Sequence, residues 1–128
     1  MPTAEPSSGE PSSGEPSSGW LRGMLPLLLV ALLAQGDQHG YALVQQLAAQ
    51  GFGTVRGGAL YPVLGRLEND GLVEAHWQAG EGGPGRKVYR LTDAGWARLR
   101  EERVGWEHFS GSVDRLLARV DDVDRERT

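Results

Sequence analysis

GGALYPVLGRLENDGLV, residues 57–73, reads as a short helix with two unlike faces. Leu60, Val63, Leu64 and Leu67 recur at helical spacing, so one stripe is apolar and faces a core. Gly58, Tyr61, Pro62 and Gly65 line up on the other side, small or flat residues that let a second surface come close while an aromatic hydroxyl projects. Asn69, Asp70 and Gly71 then stop the helix. A period-two segment follows, from Leu72 to Ala79, with Val73, Ala75 and Trp77 on one side and Glu74, His76 and Gln78 on the other. The stretch GEGGPG, Gly80 to Gly85, is expected to be a loop, a glycine-rich tip that holds Arg86 and Lys87 and from which Arg86 to Leu91 returns as a second short strand. A helix delivered into a basic hairpin is the outline of a winged helix, a shape suited to a DNA groove.

Upstream, Trp20 to Gln35 is expected to form the first helix, with Pro26 an awkward guest. Leu25, Leu28, Leu29, Leu32 and Leu33 cover one face, while Leu21, Leu27, Val30 and Ala31 cover much of the rest, so this helix needs cover on two sides. The apolar run Met24 to Ala34 is eleven residues long, too short for a bilayer, which takes about twenty. A signal-peptide core has this length, but here the run stands behind an acidic tail with only Arg22 as positive flank. Asp37 to Gly40 reads as a turn holding His39, solvated or capping, and Tyr41 to Gln50 as the second helix, with Leu43, Val44, Leu47 and Ala48 inward. Three helices before a hairpin give the order of a helix-turn-helix.

Downstream, Thr92 is an N-cap candidate, and the last helix is expected from about Asp93 to Asp121. Trp106, Phe109, Val113, Leu116, Val120 and Val123 step alternately by three and four, the seam of a coiled coil, and Leu99 joins them. A small domain has nothing left to cover so long a stripe, which argues for a homodimer. The carboxylates Asp121, Asp122, Asp124 and Glu126 read as a frayed, solvated end.

The expected fold is mainly α with a small β-hairpin, a winged helix-turn-helix over residues 20–91 and a C-terminal dimerisation helix over 92–128. Residues 1–19 hold three copies of EPSSG and almost no apolar side chain, so they are expected to stay disordered. The formal charge of −4 argues at first against nucleic acid, but it is unevenly spread. The tail carries three acids and no base, residues 20–91 six bases and five acids, and residues 92–128 seven bases and nine acids. What remains for a DNA surface is the cluster Arg56, Arg66, Arg86, Lys87 and Arg90. Arg66 has another use, an ion pair with Glu68 or Asp70. A winged helix turned to protein contacts, without sequence-specific DNA binding, is the competing reading.

Catalysis finds no support. There is no cysteine, and His39, His76 and His108 lie far apart without ligand spacing, so no enzyme, metal site or cofactor is expected. Cysteine-free composition is compatible with a reducing, cytoplasmic location.

LLLVALLAQGDQHGYAL at 27–43, GALYPVLGRLENDGL at 58–72 and GGPGRKVYRLTDAG at 82–95 together resemble the PadR family of transcriptional regulators, in particular its short members with one C-terminal helix. The resemblance implies a ligand-responsive repressor that binds double-stranded DNA as a homodimer on a two-fold symmetric operator. In the family the glycine, leucine and tyrosine of this motif open the recognition helix, here Gly58, Leu60 and Tyr61, with the tyrosine against DNA, and the basic wing, here Arg86 and Lys87, reaches phosphates or the minor groove; Ala59, Pro62 and Gly65 complete the expected contact face of the helix. The family usually has Ser-Pro before the glycine and a threonine after it, where this chain has Arg56, Gly57 and Ala59. A capping hydroxyl and one polar DNA contact are thereby missing, and Arg56 is the candidate replacement on a phosphate. Some relatives stack a planar aromatic effector on a tryptophan between the subunits. Trp106 matches that position, with Trp96 and Phe109 beside it, although a seam tryptophan can equally be plain core.

Overall fold

The computed structural model describes residues 18–80 and 82–127 of the chain. The expected disordered tail therefore lies outside the described residues, except that its last two positions open the first helix. In order, the elements are α1 (Ser18–Leu33), β1 (Gln38–His39), α2 (Gly40–Ala49), α3 (Gly57–Asn69), β2 (Val73–Gly80), β3 (Gly83–Leu91) and α4 (Asp93–Arg127). The three strands form one antiparallel sheet in the order β1-β3-β2.

The apolar stripe of α3 is the centre of the core: Leu60, Val63, Leu64 and Leu67 are all buried. They meet Leu25, Leu29 and Leu33 of α1, and Leu43 and Leu47 of α2. In α2, Val44 is only half-buried and Ala48 is exposed, so the inward face is narrower than its spacing suggests. Pro26 stands within α1 and removes one donor from its ladder, yet the helix continues, with Leu25 and Leu29 fully buried around it. The second side of α1 is covered partly by the chain's own α4, whose Leu99 packs on the core.

Two departures from the sequence expectation reshape the wing. Asp37–Gly40 is not simply a turn, because Gln38 and His39 pair with Tyr89 and Val88 to make a third strand. The glycine-rich stretch is not a six-residue loop either. Strands β2 and β3 run through it to a pairing of Gly80 with Gly83. The glycines are there for close backbone contact: a Cβ on Gly80 would lie 2.8 Å from the Pro84 carbonyl oxygen, and one on Gly85 2.7 Å from that of Gln78. Arg86 and Lys87 consequently stand within β3, opposite Gln78 and Trp77, rather than at the tip. Trp77 lies beyond the reach of the core and is 72% exposed.

Local chemistry fixes both ends of the hairpin. After α3, Gly71 takes a positive φ of 78° while Leu72 N–H donates to the Leu67 carbonyl at 2.9 Å, closing the helix end. Thr92 caps α4 as expected: its hydroxyl accepts from Gly95 N–H at 3.0 Å and donates to the Gly71 carbonyl at 2.7 Å. At Gly95 any Cβ would overlap the Leu72 carbonyl oxygen and lie 2.5 Å from Leu91 Cδ1, so a glycine lets α4 rest on the base of the wing. From there α4 continues for 35 residues in all, a length of about 50 Å. It does not end at Asp121. The acidic stretch stays helical to Arg127, with Arg125 paired to Asp122.

Candidate nucleic-acid interface

The outward side of α3 is nearly bare. Gly58 and Gly65 have open space where a side chain would be, and Pro62 between them is exposed. Each helical glycine costs about 1 kcal/mol against alanine, and no contact among the described residues requires either one. A face kept this low suits close approach by another surface. The start of α3 is uncapped by any side chain, since Arg56 occupies the N-cap position without a capping bond.

Beside this face runs a groove of about 820 Å³, lined from α2, α3 and β3 by residues that include His39, Tyr41, Tyr61, Glu68, Arg86 and Lys87. Tyr61 forms its floor and is held by glycines. Its ring lies over Gly40, where a Cβ would come within 2.6 Å of Tyr61 Cζ, and over Gly57, at 3.3 Å from Cδ2. The ring remains 48% exposed. At the groove's edge, His39 caps α2, its Nδ1 accepting from Ala42 N–H at 3.2 Å, and Arg86 Nη1 lies 2.9 Å from its Nε2. This supports the capping role for His39 rather than a merely solvated one.

Lys87 is less free than the sequence suggests. Its Nζ lies 3.5 Å from Glu68 Oε1 and 5.6 Å from the centre of the Tyr89 ring. Burial pushes the Tyr89 hydroxyl above its ordinary pKa; Glu68 and Tyr61 add to this while Lys87 opposes it. Arg90 pairs with Glu74 at 3.6 Å and does not line the groove. Arg66 forms no ion pair among the described residues, its expected partner Glu68 being turned to Lys87. By helical spacing Arg66 and Ala59 lie on the flank of α3 opposite Tyr61 and Glu68. The expected contact set is thus divided into a groove rim, Tyr61, Arg86 and Lys87, and an outer rim with Arg66 and Ala59. His39 of β1 and Tyr41 and Gln45 of α2 join the first rim, and none of the three is in the contact set expected from the sequence. The signal for His39 was its place just before an apolar helical run, where a side-chain acceptor is wanted.

On α4, Trp106 is 44% exposed, Phe109 63%, Leu116 60% and Val120 53%. Val113 and Val123 are exposed as well, so the seam has no cover among the described residues. Trp96 and Trp106 are ten positions apart, about 15 Å along the axis, whereas Trp106 and Phe109 share one turn. No cluster of three or more metal-ligating side chains occurs among the described residues, and no helix there is long and apolar enough to cross a membrane.

Residues 28–101 match the model of the PadR-like family of transcriptional regulators. The chain belongs to the PadR family. It is 38% identical to the Mycobacterium tuberculosis transcriptional regulator Rv3488 over 92 residues, 72% of this chain and 84% of that one. Among solved structures, a PadR family transcriptional regulator from Eggerthella lenta superposes with a TM-score of 0.71 at 38% identity, covering 77% of this chain and 86% of the other. A PadR-like transcriptional regulator from Bacillus cereus gives 0.70 at 35% identity, with 78% and 97% covered. PadR proteins are transcriptional regulators, not enzymes, and the winged helix with a long last helix found here is the fold of these neighbours.

Proposed function

We propose that this PadR protein binds double-stranded DNA as a homodimer and represses transcription from a two-fold symmetric operator. Each subunit lays Gly58–Asn69 of α3 in a major groove with the β2–β3 wing alongside. The observation that carries this reading is the bare outer face of α3, flanked by a groove presenting Tyr61, Arg86 and Lys87. Arg56 and Arg66 reach phosphates on the outer rim. Two copies of α4 cover each other's apolar seam from Trp106 to Val120, Leu99 being already packed on its own subunit's core, and the Trp106 and Phe109 pairs at the two-fold axis form a flat aromatic slot. A planar aromatic effector enters there and changes the separation of the two α3 helices, while Trp96, about 15 Å away along α4, stands outside the slot. The protein acts in the cytoplasm, where its operator is.

Fluorescence anisotropy on duplexes from upstream of the protein's own gene, at several salt concentrations and beside a scrambled duplex, tests the reading. Binding that prefers the native duplex and weakens steeply with salt supports it. The second reading, a winged helix used for protein contacts, draws on Lys87 and Arg90 being paired with acids of the same chain. It predicts weak, equal binding to both duplexes.

A further inference from the structure

His39 faces one more donor than its ring can accept from. Both ring nitrogens face N–H groups: Ala42 N–H lies 3.2 Å from Nδ1, and Arg86 Nη1 lies 2.9 Å from Nε2. A neutral imidazole has one nitrogen lone pair to offer and one N–H. The backbone donor is fixed by α2 and half-buried, whereas the exposed Arg86 side chain can turn away, so the lone pair belongs at Nδ1. The proton is then on Nε2. Two donors, Nε2–H and the Arg86 guanidinium, stand side by side with no acceptor between them.

At 2.9 Å the two groups leave no room between them, so once the Arg86 side chain has turned aside the pair is satisfied by one anionic oxygen seated against both and taking a hydrogen bond from each. The remaining charge around the groove permits it. Glu68 is the acid among its lining residues, and it is already held by Lys87 at 3.5 Å. The Tyr61 hydroxyl lines the same groove without a hydrogen bond among the described residues, a third group of donor character facing the same space. Since β3 and the start of α2 flank the bare face of α3, a strand of DNA backbone passing α3 runs along this groove.

We infer that His39 and Arg86 form a two-donor clamp for one phosphodiester oxygen of bound DNA. The inference rests on the DNA-binding reading and adds to it a residue, His39, outside the recognition helix and the wing. His39 thereby ties the first turn of α2, through its cap, to the DNA backbone.

The test uses the full chain and the variants His39→Asn and Arg86→Gln. Asparagine keeps a good N-cap while removing the Nε2 donor, and Arg86 is exposed, so its replacement leaves folding alone. Each variant is expected to bind a mixed-sequence duplex about tenfold more weakly per subunit. For Arg86→Gln the slope of log affinity against log salt should become shallower by roughly 0.9 for each phosphate that is no longer neutralised, so by about two in a dimer, whereas His39→Asn removes an uncharged donor and should leave the slope as it is. Variants that bind with the affinity and slope of the wild type would overturn the clamp and leave the DNA reading standing. A wild type that binds no duplex would overturn both. Nitrogen-15 spectra of the imidazole supply a second measurement. A proton on Nδ1 in the free protein would sink the argument, as would a His39 Nε2 shift produced by inorganic phosphate and not by an equal phosphate concentration of duplex. A proton on Nε2 that shifts with duplex supports the clamp.

Discussion

Replacing Gly40 with alanine should separate the placement of Tyr61 from the stability of the fold. Gly40 opens α2, and the Tyr61 ring lies flat across it. A Cβ there would be 2.5 Å from Tyr61 Cε1 and closer still to the hydroxyl. Ordinary carbon contacts begin near 3.5 Å, so the ring must retreat by about 1 Å. It can do so cheaply because its far side is open to solvent. An off-rotamer side chain costs about 0.5–1.5 kcal/mol, and alanine returns up to about 1 kcal/mol over glycine in a helix. Net stability should therefore change by less than about 1 kcal/mol, a shift of a few degrees in the thermal midpoint. DNA binding should suffer far more. Removing an interaction worth about 1.4 kcal/mol weakens binding tenfold per subunit, and about a hundredfold when both subunits of a dimer engage. Anisotropy on one duplex would compare wild type, Gly40→Ala, Tyr61→Ala and the double variant. The double variant should bind no more weakly than either single one, because both changes remove the same contact. Full affinity in Gly40→Ala, or losses that add in the double variant, would refute the claim that Gly40 acts by placing Tyr61.

Glu68→Gln should release Lys87 from its ion pair, tightening binding to any duplex a few-fold and steepening the salt dependence by up to about one unit per subunit; an unchanged slope in anisotropy would show that Lys87 does not reach phosphate. Leu116→Glu places a charge on the exposed α4 seam, and sedimentation should find monomers where the wild type is dimeric, with helix content by circular dichroism retained in the winged-helix part. The raised pKa of Tyr89 sets a pH dependence. Burial favours the neutral phenol in the folded chain, so this contribution is complete below the ordinary value of 10.0 and is lost as pH rises through the higher folded value. Thermal melts above pH 10 should fall more steeply for the wild type than for Tyr89→Phe; parallel curves would count against it.

What was legible in the sequence was what a single helix dictates to itself. The stripe Leu60, Val63, Leu64 and Leu67 repeats with the helical period, so its burial could be read directly. Thr92 before Asp93 announced a cap, and Asn69 to Gly71 announced a stop. What could not be read depends on partners distant in the chain. Two residues of β1 have no period, and they become a strand because β3 comes to lie beside them. Gly80 to Gly85 resembles a loop in composition, since the signal of a strand is its side chains and these strands instead need room for backbone. That misreading moved Arg86 and Lys87 to a tip they do not occupy. It also hid the contact of Arg86 with His39, 47 positions earlier, and that of Lys87 with Glu68.

The charge distribution then bears on where affinity arises. Of the six cations between residues 20 and 91, Lys87 and Arg90 already face acids, and Arg86 rests beside His39. Arg66 stands on the outer rim, Arg56 at the start of α3, and Arg22 belongs to α1. One subunit therefore offers DNA few unpaired charges, and the bare face of α3 offers few hydrogen bonds. A single winged helix of this kind binds non-specifically at best, in the range of about 10⁻⁴ to 10⁻⁶ M. Joining two of them rigidly changes the arithmetic, because the second half-site is then met at a high effective concentration and the free energies of the two contacts add. Under the DNA-binding reading, most of the affinity is made in the exposed seam of α4 rather than in the groove, by fixing the distance between two weak readers. Anything that alters that seam by a fraction of a helical turn acts on both half-sites together. A regulator with a strongly basic face would hold DNA through either half alone and would be far less sensitive to such a change.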